Sequence, residues 1–315
     1  MGTPEFAVPS LKAILEAGYD VVGVITSPDK RVGRGRKIKF SAVKQFSFDN
    51  GLNLLQPKNL KDPEFINQLK NLKPDLQVVI AFRMLPKDVW SIPKHGTFNL
   101  HASLLPQYRG AAPINHAIIN GEEKTGLTTF LIDEKIDTGK IIDQVKIDIS
   151  PEENFGELHD HMKNLGSDFV LNSIEKVLNP GFKPIDQNLM EDGMSELKKA
   201  PKMSKEFCQI RWNQPVNKIY NFIRALSPYP VAFGYLNNNM PELLQVKCYC
   251  TEIVKRKHTN QFGSIISDKK SYLWVAGQGG YISILKLQLM GKRSMTIKEL
   301  LNGFRLSDNA RFDVI

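Results

Sequence analysis

The stretch Asp62–Ala81, DPEFINQLKNLKPDLQVVIA, contains a helix pattern followed at once by a strand pattern. Asp62–Leu72 has the apolar spacing of an amphipathic helix, and it ends before Pro74, which cannot continue a helix. Leu76–Ala81 is a short apolar run of the kind that forms a buried strand. A helix and a strand in direct succession indicate an α/β fold, and the same alternation extends in both directions.

Strand and helix patterns alternate over the first 180 residues. The further strands predicted are Asp20–Ser27, Thr97–Leu100, Leu127–Ile132 and Lys140–Ile147, and the further helices are Ser41–Asn50, Pro113–Ile119 and Asn154–Leu178. This rhythm predicts a doubly wound, mostly parallel sheet with helices on both faces, which is a Rossmann-like α/β architecture.

The composition changes near residues 179–181, and the polar stretch 181–204 is predicted as a linker because it has no clear period. Beyond it, helices are predicted at Pro215–Leu226 and Thr296–Asn302, and short strands at Val231–Leu236, Leu244–Val254, Gly263–Ser267, Tyr272–Ala276 and Tyr281–Leu289. Short, regularly spaced strands are typical of a small OB-like β-barrel. We therefore expect a catalytic domain over residues 1–180 and a barrel domain over residues 205–315.

The net charge of +9 is concentrated in the C-terminal part of the 315-residue chain. Residues 1–180 hold 22 Lys and Arg against 22 Asp and Glu, whereas residues 181–315 hold 20 against 11. An excess of positive charge favours polyanionic partners such as nucleic acids. A basic surface without a partner is the alternative that charge alone leaves open.

Targeting and redox features indicate a cytoplasmic protein. No apolar run approaches the length of a membrane span, and the N-terminal residues lack the basic and apolar regions of a signal peptide. The three cysteines, Cys208, Cys248 and Cys250, have no metal-binding or redox spacing. A low, odd number of cysteines suits a reducing compartment.

Candidate catalytic residues lie between Asn99 and Asp137. Asn99 and His101 are two positions apart on a predicted strand, so their side chains point the same way. A turn-rich loop follows them, at the place where doubly wound folds bind their ligands. A second loop, Asp133–Gly139, connects two predicted strands and can bring Asp137 close to His101.

An amide, an imidazole and a carboxylate suit acyl transfer to an amine. A neutral amine is already nucleophilic, so the reaction needs stabilisation of an oxyanion and movement of protons. Asn99 and protonated His101 can donate to the oxyanion, and one such donor contributes about 3–4 kcal/mol. Asp137 can orient His101, stabilise its charged form and relay protons through a water. Considered alone, His101 could instead be a structural histidine, and Asn99 could instead cap a turn.

Longer motifs resemble those of the folate-dependent formyltransferases. Asn99–Pro113, NLHASLLPQYRGAAP, resembles the signature of that family, and Asp133–Gly139 resembles its aspartate loop. Four further segments resemble, in particular, the family members that formylate methionine on initiator tRNA. They are Gly2–Pro9 (GTPEFAVP), Ala200–Lys205 (APKMSK), Ile223–Pro230 (IRALSPYP) and Leu287–Arg293 (LQLMGKR). The similarity covers essentially the whole chain.

The resemblance implies a formyl transfer enzyme of translation initiation in which Asn99, His101 and Asp137 are catalytic. It implies 10-formyltetrahydrofolate as co-substrate, methionyl initiator tRNA as acceptor, a tRNA-binding role for residues 205–315, and no metal; we expect a monomer. The implied folate-binding residues are Phe82, Arg83, Met84, Leu85, Pro86, Ser103, Leu104, Leu105 and Pro106.

The basic stretch Asp29–Lys39, DKRVGRGRKIK, is too charged to pack in a core and is predicted as a mobile surface loop. A solvated run of charge is its ordinary interpretation. The resemblance implies instead that it contacts the acceptor stem of the tRNA. The implied tRNA-binding residues are Arg31, Arg34, Arg36 and Lys37, of which Arg34 and Arg36 are the first candidates because guanidinium groups bind phosphates and stack on bases.

Three features stand apart from the family pattern or mimic another one. An apolar strand usually precedes the segment that matches Gly2–Pro9, and its absence leaves backbone groups of a central sheet position unpaired. His116 stands where the family commonly has Trp, which predicts altered packing. Lys202–Lys205 spells KMSK, a motif of aminoacyl-tRNA synthetases, but lies in the predicted linker.

Two other functions are compatible with parts of the pattern. The same chemistry could act on a sugar-nucleotide amine or a glycinamide ribotide, although a small acceptor needs neither the basic loop nor the basic barrel. A non-enzymatic RNA-binding protein on the same scaffold is disfavoured because Asn99, His101 and Asp137 are all present.

Overall fold

The computed structural model describes residues 1–32, 37–191 and 196–314. The chain forms two compact units and passes from one to the other several times. The first unit contains Met1–Pro113, Lys124–Asp148 and His159–Ala200, and the second contains Ile114–Glu123, Ile149–Leu158 and Pro201–Ile315. The division into domains at 1–180 and 205–315 stays a prediction.

Side-chain caps mark the starts of some of the helices. In chain order, the helices of the described residues are α1 (Val8–Glu16), α2 (Ala42–Asp49), α3 (Pro63–Asn71), α4 (Lys87–Trp90), α5 (Pro113–Ile119), α6 (Phe155–Leu178), α7 (Asn188–Glu191), α8 (Val216–Ala225) and α9 (Ile297–Gly303). The Ser41 hydroxyl accepts from the Lys44 N–H at 3.0 Å and so caps α2. The Asp62 carboxylate accepts from the Glu64 N–H at 3.0 Å and caps α3. Each cap satisfies a backbone donor that has no partner inside the helix.

The first unit combines parallel and antiparallel strand pairs. Its strands are β1 (Val24–Ile25), β2 (Lys30–Val32), β3 (Lys37–Lys39), β4 (Leu54–Leu55), β5 (Gln77–Ile80), β6 (Thr97–His101), β7 (Arg109–Gly110), β8 (Lys124–Leu131), β9 (Ile141–Asp148) and β10 (Lys199–Ala200). The main sheet has the order β5-β6-β8-β9; β5 and β6 are parallel, and the other two pairings are antiparallel. A parallel pair also joins β1 and β4. The Rossmann-like architecture is confirmed.

The long helix α6 packs against the main sheet. A Cβ at Gly166 would lie 3.1 Å from the Cδ2 atom of Leu100, so the glycine permits close approach to β6. Met162 and Val170 of the same helix are fully buried. The Ser173 hydroxyl forms a 2.7 Å hydrogen bond with the Thr129 hydroxyl on β8. This packing holds the strand that carries Asn99 and His101.

A gap separates the β1–β4 pair from the main sheet. Gly2 bridges the two near one end, because its N–H donates to the Ile25 carbonyl at 3.0 Å and it pairs in parallel with Ile80. The Met1 amine donates to the Val78 carbonyl at 2.6 Å, and burial lowers the pKa of that amine to about 5. Beside them lies a cavity of about 500 Å³, lined among others by Val22, Val24, Leu69, Val78 and Ile174. Its lining includes residues of both β1 and β5, so the cavity lies between these two strands.

The two ends of the basic stretch Asp29–Lys39 form paired strands instead of the predicted mobile loop. β2 and β3 pair in antiparallel register, with Arg31 opposite Ile38 and Val32 opposite Lys37. The base of this ribbon is anchored by Asp29, which accepts from the Lys44 ammonium at 2.6 Å and from the Gln56 amide at 3.0 Å. These hydrogen bonds, that of Gln56 first, lower the pKa of Asp29. A β-ribbon forms here because backbone pairing does not depend on the charge of side chains.

The second unit contains an antiparallel, nearly closed barrel. Its strands are β11 (Ala232–Asn237), β12 (Leu244–Val254), β13 (Ile265–Ser267), β14 (Leu273–Gly277), β15 (Gly280–Leu289), β16 (Met295–Thr296) and β17 (Arg311–Phe312). They follow the order β13-β14-β15-β12-β11-β17, with β16 on β15. A bridge between Ser264 and Arg311 brings the first and last strands together. The predicted OB-like barrel is confirmed, and its core holds the rings of Trp212 and Phe312, which are tilted by 37° with centroids 4.9 Å apart.

Up to Ala200, the described part of the stretch predicted as a linker belongs to the first unit. Gln187 is buried, with 1% of its surface exposed. Ala200 on β10 pairs in parallel with Gly110 on β7. Tyr108 donates its N–H to the Lys198 carbonyl at 2.7 Å. Residues 192–195 of this stretch lie outside the described part of the chain.

Candidate active site

Two loops leave the main sheet at the same edge. β5 and β6 are paired with Val79 opposite Asn99 and Ile80 opposite Leu100. Because parallel strands end at the same edge, segments 81–86 and 102–108 start side by side. The carboxyl edge of such a sheet is the usual ligand-binding position. The predicted folate segments and His101 therefore share one edge of the sheet.

His101 lies at the end of β6 with its ring largely buried and oriented. Its Nε2 atom is 3.0 Å from the Tyr108 carbonyl oxygen. A carbonyl oxygen only accepts hydrogen bonds, so Nε2 carries the hydrogen. The ring also meets the Phe130 ring edge-on, at 6.4 Å between centroids. Nδ1 is therefore the ring nitrogen that this hydrogen bond leaves available.

Asp137 faces that nitrogen. Its Oδ2 atom is 3.9 Å from Nδ1 of His101, and the two side chains are 15% and 8% exposed. The same carboxylate oxygen accepts from the Gly110 N–H at 2.9 Å. The separation from Nδ1 exceeds a hydrogen bond but suits an ion pair with the imidazolium. The predicted approach of Asp137 to His101 is found, and the Gly110 N–H is a partner that sequence patterns did not indicate.

Asn99 lies two residues before His101 on the same strand, opposite Phe130 in the register with β8. It is half-buried. Within residues 1–32, 37–191 and 196–314, its side-chain amide forms no hydrogen bond with protein. A half-buried amide with unused donors at a ligand-binding edge is available to a bound molecule.

The loop after β6 is held by hydrogen bonds to β8 and β9. Thr128 receives the Leu105 N–H at 3.1 Å and donates its hydroxyl to the Ser103 carbonyl at 2.6 Å. The Gln144 amide donates to the Leu105 carbonyl at 2.7 Å. Ser103, Leu105 and Pro106 are buried, whereas Leu104 is partly exposed. Among the predicted folate residues of this loop, Leu104 is therefore the accessible one.

The loop after β5 also combines anchoring and accessible residues. Leu85 is buried in the cluster that contains Phe65 and Val89. The Arg83 guanidinium donates to the carbonyls of Pro57 and Lys58, so it holds a neighbouring loop. Of the remaining predicted folate residues, Met84 is 68% exposed, and Phe82 and Pro86 are partly exposed.

The predicted tRNA-binding residues lie on and between the strands of the basic ribbon. Arg31 is on β2 and Lys37 on β3. Arg34 and Arg36 lie outside the described residues. The structure therefore places the two ends of this candidate surface on paired strands.

His116 is a buried residue of the second unit. Its Nε2 atom is 3.0 Å from the Pro201 carbonyl, and its ring lies 5.6 Å from that of Phe207. Burial lowers the pKa of this imidazole. The small polar ring is accommodated by one hydrogen bond and aromatic packing.

Metal sites and membrane spans are both absent from the described residues. No group of three or more His, Cys, Asp or Glu side chains there is arranged to hold a metal ion. Nor does any helix in the same ranges have the length and apolar character needed to cross a membrane.

Family models match both parts of the chain. A model described as formyl transferase matches residues 1–174, and a model described as formyl transferase, C-terminal domain, matches residues 202–305. The chain belongs to the formyl transferase family. It is an enzyme that transfers formyl groups, and the resemblance given by its motifs is confirmed.

Full-length relatives of this formyltransferase are closely similar. A methionyl-tRNA formyltransferase of Bacteroides thetaiotaomicron is 50% identical over 313 residues, which cover 99% of this chain and 97% of the relative. One of Flavobacterium johnsoniae is 51% identical over 311 residues, covering 99% and 97%. Among solved structures, the sugar 3N-formyl transferase WlaRD matches with a TM-score of 0.62 and 22% identity, covering 93% of this chain and 97% of that one. The structural likeness supports the fold.

Sequence patterns missed three contacts at the site of this formyltransferase. The Tyr108 carbonyl and the Gly110 N–H belong to the recognised motif, but backbone groups carry no residue-type signal. Gly110 has φ of +132°, and a Cβ there would lie 2.3 Å from the Ala200 carbonyl oxygen, so the close approach requires glycine. Gln187 lies in the aperiodic stretch predicted as a linker, where no pattern distinguished it.

Proposed function

We propose that this formyltransferase moves the formyl group of 10-formyltetrahydrofolate to the α-amino group of methionine on initiator tRNA. The products are formylmethionyl-tRNA and tetrahydrofolate. The observation that carries the chemistry is the 3.9 Å approach of the Asp137 carboxylate to Nδ1 of His101, on the strand that also presents the Asn99 amide. The acceptor is supported by the two relatives of about 50% identity, both methionyl-tRNA formyltransferases.

In the proposed reaction, the neutral methionyl amine attacks the formyl carbon and forms a tetrahedral intermediate. Asn99 donates its side-chain N–H to the oxyanion, which contributes about 3–4 kcal/mol to lowering the barrier. His101 in its imidazolium form adds positive charge beside the same oxygen. Both groups act at the carboxyl edge of the sheet, where no serine or cysteine nucleophile is needed because the amine attacks directly.

Proton movement is assigned to the His101–Asp137 pair. The intermediate must lose a proton from the attacking nitrogen, and the folate nitrogen must gain one as the carbon–nitrogen bond breaks. Asp137 stabilises the charged imidazole at Nδ1, and its position is supported by the 2.9 Å hydrogen bond from the Gly110 N–H. Positioned acid–base groups of this kind contribute roughly 10²- to 10⁴-fold in rate.

Folate is proposed to bind along segments 81–86 and 103–106. Phe82, Met84 and Leu104 offer accessible apolar surface to the ring system, as small-molecule pockets usually do. The buried residues Leu85 and Leu105 set the course of the backbone instead. Pro86, Ser103, Pro106 and Arg83 complete the proposed set, the last three as residues that shape the two loops.

The tRNA is proposed to contact the basic ribbon and the basic C-terminal part. Arg31, Arg34, Arg36 and Lys37 supply positive charge to the acceptor stem. Residues 205–315 supply the second contact, after a catalytic part at 1–180 and a connecting segment at 181–204. We expect a monomer in the reducing cytoplasm, in keeping with the free thiols of its three cysteines.

The acceptor is tested by a formyl-transfer assay with 10-formyltetrahydrofolate and one acceptor at a time. The acceptors are methionine on initiator tRNA, methionine on elongator tRNA, free methionine and an amino-sugar nucleotide. We expect the highest kcat/KM for the first. Equal or faster transfer to the amino-sugar nucleotide would assign the enzyme to small acceptors and overturn the proposal.

A further inference from the structure

Gln187 is buried next to the loop that carries Asp137, and its side-chain amide makes four hydrogen bonds. Its oxygen accepts from Arg109 Nε at 3.1 Å and from Arg109 Nη2 at 2.6 Å. Its nitrogen donates to the carbonyls of Asp137, at 3.1 Å, and Gly139, at 2.7 Å. A glutamine amide accepts two hydrogen bonds and donates two, so this side chain is fully used.

Arg109 closes the same network from the other side. Its Nε atom also donates to the Asp137 carbonyl at 3.0 Å. The next residue, Gly110, donates its N–H to the Asp137 carboxylate, and the preceding residue, Tyr108, offers its carbonyl to His101. Gln187 therefore joins two loops: one sets the ring of His101, and the other carries the carboxylate that faces it.

The backbone of Asp137 needs such support. Its φ angle is +56°, in the left-handed region. Residues other than glycine seldom adopt this conformation unless their surroundings favour it. Two donors, from Arg109 and Gln187, converge on its carbonyl oxygen and hold that peptide in place. The direction of the carboxylate follows from this backbone conformation.

We infer that Gln187 is a positioning residue for formyl transfer, acting through Arg109 and the backbone of Asp137. It keeps the Asp137 carboxylate at Nδ1 of His101 without contacting either substrate. The inference rests on the catalytic role proposed for Asp137. A purely structural glutamine would affect unfolding temperature alone, whereas a positioning residue affects turnover in the folded enzyme.

The experiment compares Gln187→Leu, Gln187→Glu and a control, Gln77→Leu. Gln77 is also buried in the first unit, at 6% exposure, and its oxygen accepts from the Thr97 hydroxyl at 3.0 Å, remote in the chain from Asp137. For each full-length variant, kcat and the KM values for the folate and for the tRNA are measured at a temperature below that variant's unfolding midpoint. We expect Gln187→Leu to lower kcat by about 10- to 100-fold with KM values nearly unchanged, as for a small displacement of a catalytic group.

Gln187→Glu keeps the oxygen that faces Arg109 and removes both N–H donors to the loop carbonyls. It carries the test if Gln187→Leu unfolds at the assay temperature, and it too should lower kcat more than KM. Gln77→Leu should leave kcat within about twofold, since Gln77 lies at the start of β5, away from the carboxyl edge of the sheet. Wild-type kcat in a folded Gln187→Glu enzyme would overturn the inference.

A double-mutant cycle separates this inference from the proposed function. If Gln187 acts through Asp137, then Gln187→Leu has little further effect on kcat when Asp137 is already alanine. Equal effects in both backgrounds would show an independent, structural role and contradict the inference. If Asp137→Ala itself keeps the wild-type rate, the proposed mechanism fails, whatever Gln187 does.

Discussion

The environment of Asn99 differs from that of a structural polar group. It is half-buried, yet its amide bonds to no residue among those described. Asn115 shows the contrasting case, because it is buried and donates to the Ala225 carbonyl at 2.7 Å. Buried polar groups are normally satisfied within the protein. The half-buried Asn99 amide at the ligand edge is open to a partner that arrives with the substrate.

Replacing these two asparagines should therefore affect different properties: turnover for Asn99 and stability for Asn115. Asn99→Ala should lower kcat by about 10²- to 10³-fold through loss of one oxyanion donor, with the unfolding midpoint nearly unchanged. Asn115→Ala should lower the unfolding midpoint, since it leaves a carbonyl without its donor, and should leave kcat of the folded enzyme intact. Thermal unfolding and steady-state kinetics on both variants check this, and a large stability loss in Asn99→Ala would count against the catalytic assignment.

Residue types predicted part of this site and could not predict the rest. Asn99, His101 and Asp137 have side chains that suit acyl transfer, and their order along the chain placed them at one edge. The partners that orient them are the Tyr108 carbonyl and the Gly110 N–H, which every sequence position possesses in some form. Gln187 is distant in sequence and lies in an aperiodic segment, so only the fold brings it to Asp137.

Among the elements, β15 shows where periodicity fails. In a regular strand, the alternate residues Leu285, Leu287 and Leu289 would share one face. In the structure, Ile282, Ile284 and Leu287 lie in the barrel core, whereas Leu285 is only partly buried. The register with β12 shifts at Cys250, a β-bulge that reverses the inward side of the strand. Helices α2 and α3 were predicted closely because their caps are local, while a bulge depends on the partner strand.

The last helix, α9, begins with a capping box. The Thr296 hydroxyl accepts from the Glu299 N–H at 3.3 Å, and the Glu299 carboxylate accepts from the Thr296 N–H at 2.8 Å. The Arg293 guanidinium donates to the same carboxylate at 2.8 Å. The hydrogen bond from Arg293, followed by those from Thr296, lowers the pKa of Glu299 from 4.5 to about 2.

This shift predicts a pH-dependent effect of Glu299→Gln. Because the pKa is lower in the folded state, the carboxylate stabilises the fold fully above pH 4.5 and loses this effect as the pH falls toward 2. The variant should have a lower unfolding midpoint than wild type at pH 7, and the difference should shrink steadily between pH 5 and the acid limit of the folded state. Glu242→Gln, at an exposed position of the same unit, is the control. A difference independent of pH would contradict the capping account.

At the scale of the whole molecule, the two compact units do not coincide with two continuous segments. Ile114–Glu123 and Ile149–Leu158 belong to the second unit. Arg224 of that unit donates to the Glu153 carbonyl at 2.6 Å and is itself buried. Composition and periodicity predicted two bodies and their fold classes, but contacts this distant in sequence leave no periodic signal.

The charge distribution predicts how tRNA binding responds to salt. Arg34→Ala and Arg36→Ala should weaken binding and reduce the slope of log K against log salt by about one for each phosphate that the variant no longer neutralises. Lys12→Ala, which removes an exposed cation paired with Glu16 on α1, should leave the slope unchanged. Binding is measured by titration with initiator tRNA at several salt concentrations. Unchanged slopes in both arginine variants would mean that the ribbon is a solvated run of charge.

The measurement that tests the account most directly is the single-turnover rate of formyl transfer to methionyl initiator tRNA by the wild type, His101→Ala and Asp137→Ala. The account predicts that each variant loses about 10²- to 10⁴-fold in rate, the contribution of a positioned acid–base group, while its dissociation constant for the tRNA stays within about threefold of wild type. Variants that transfer the formyl group at the wild-type rate, or that lose tRNA binding and keep the rate, would contradict it.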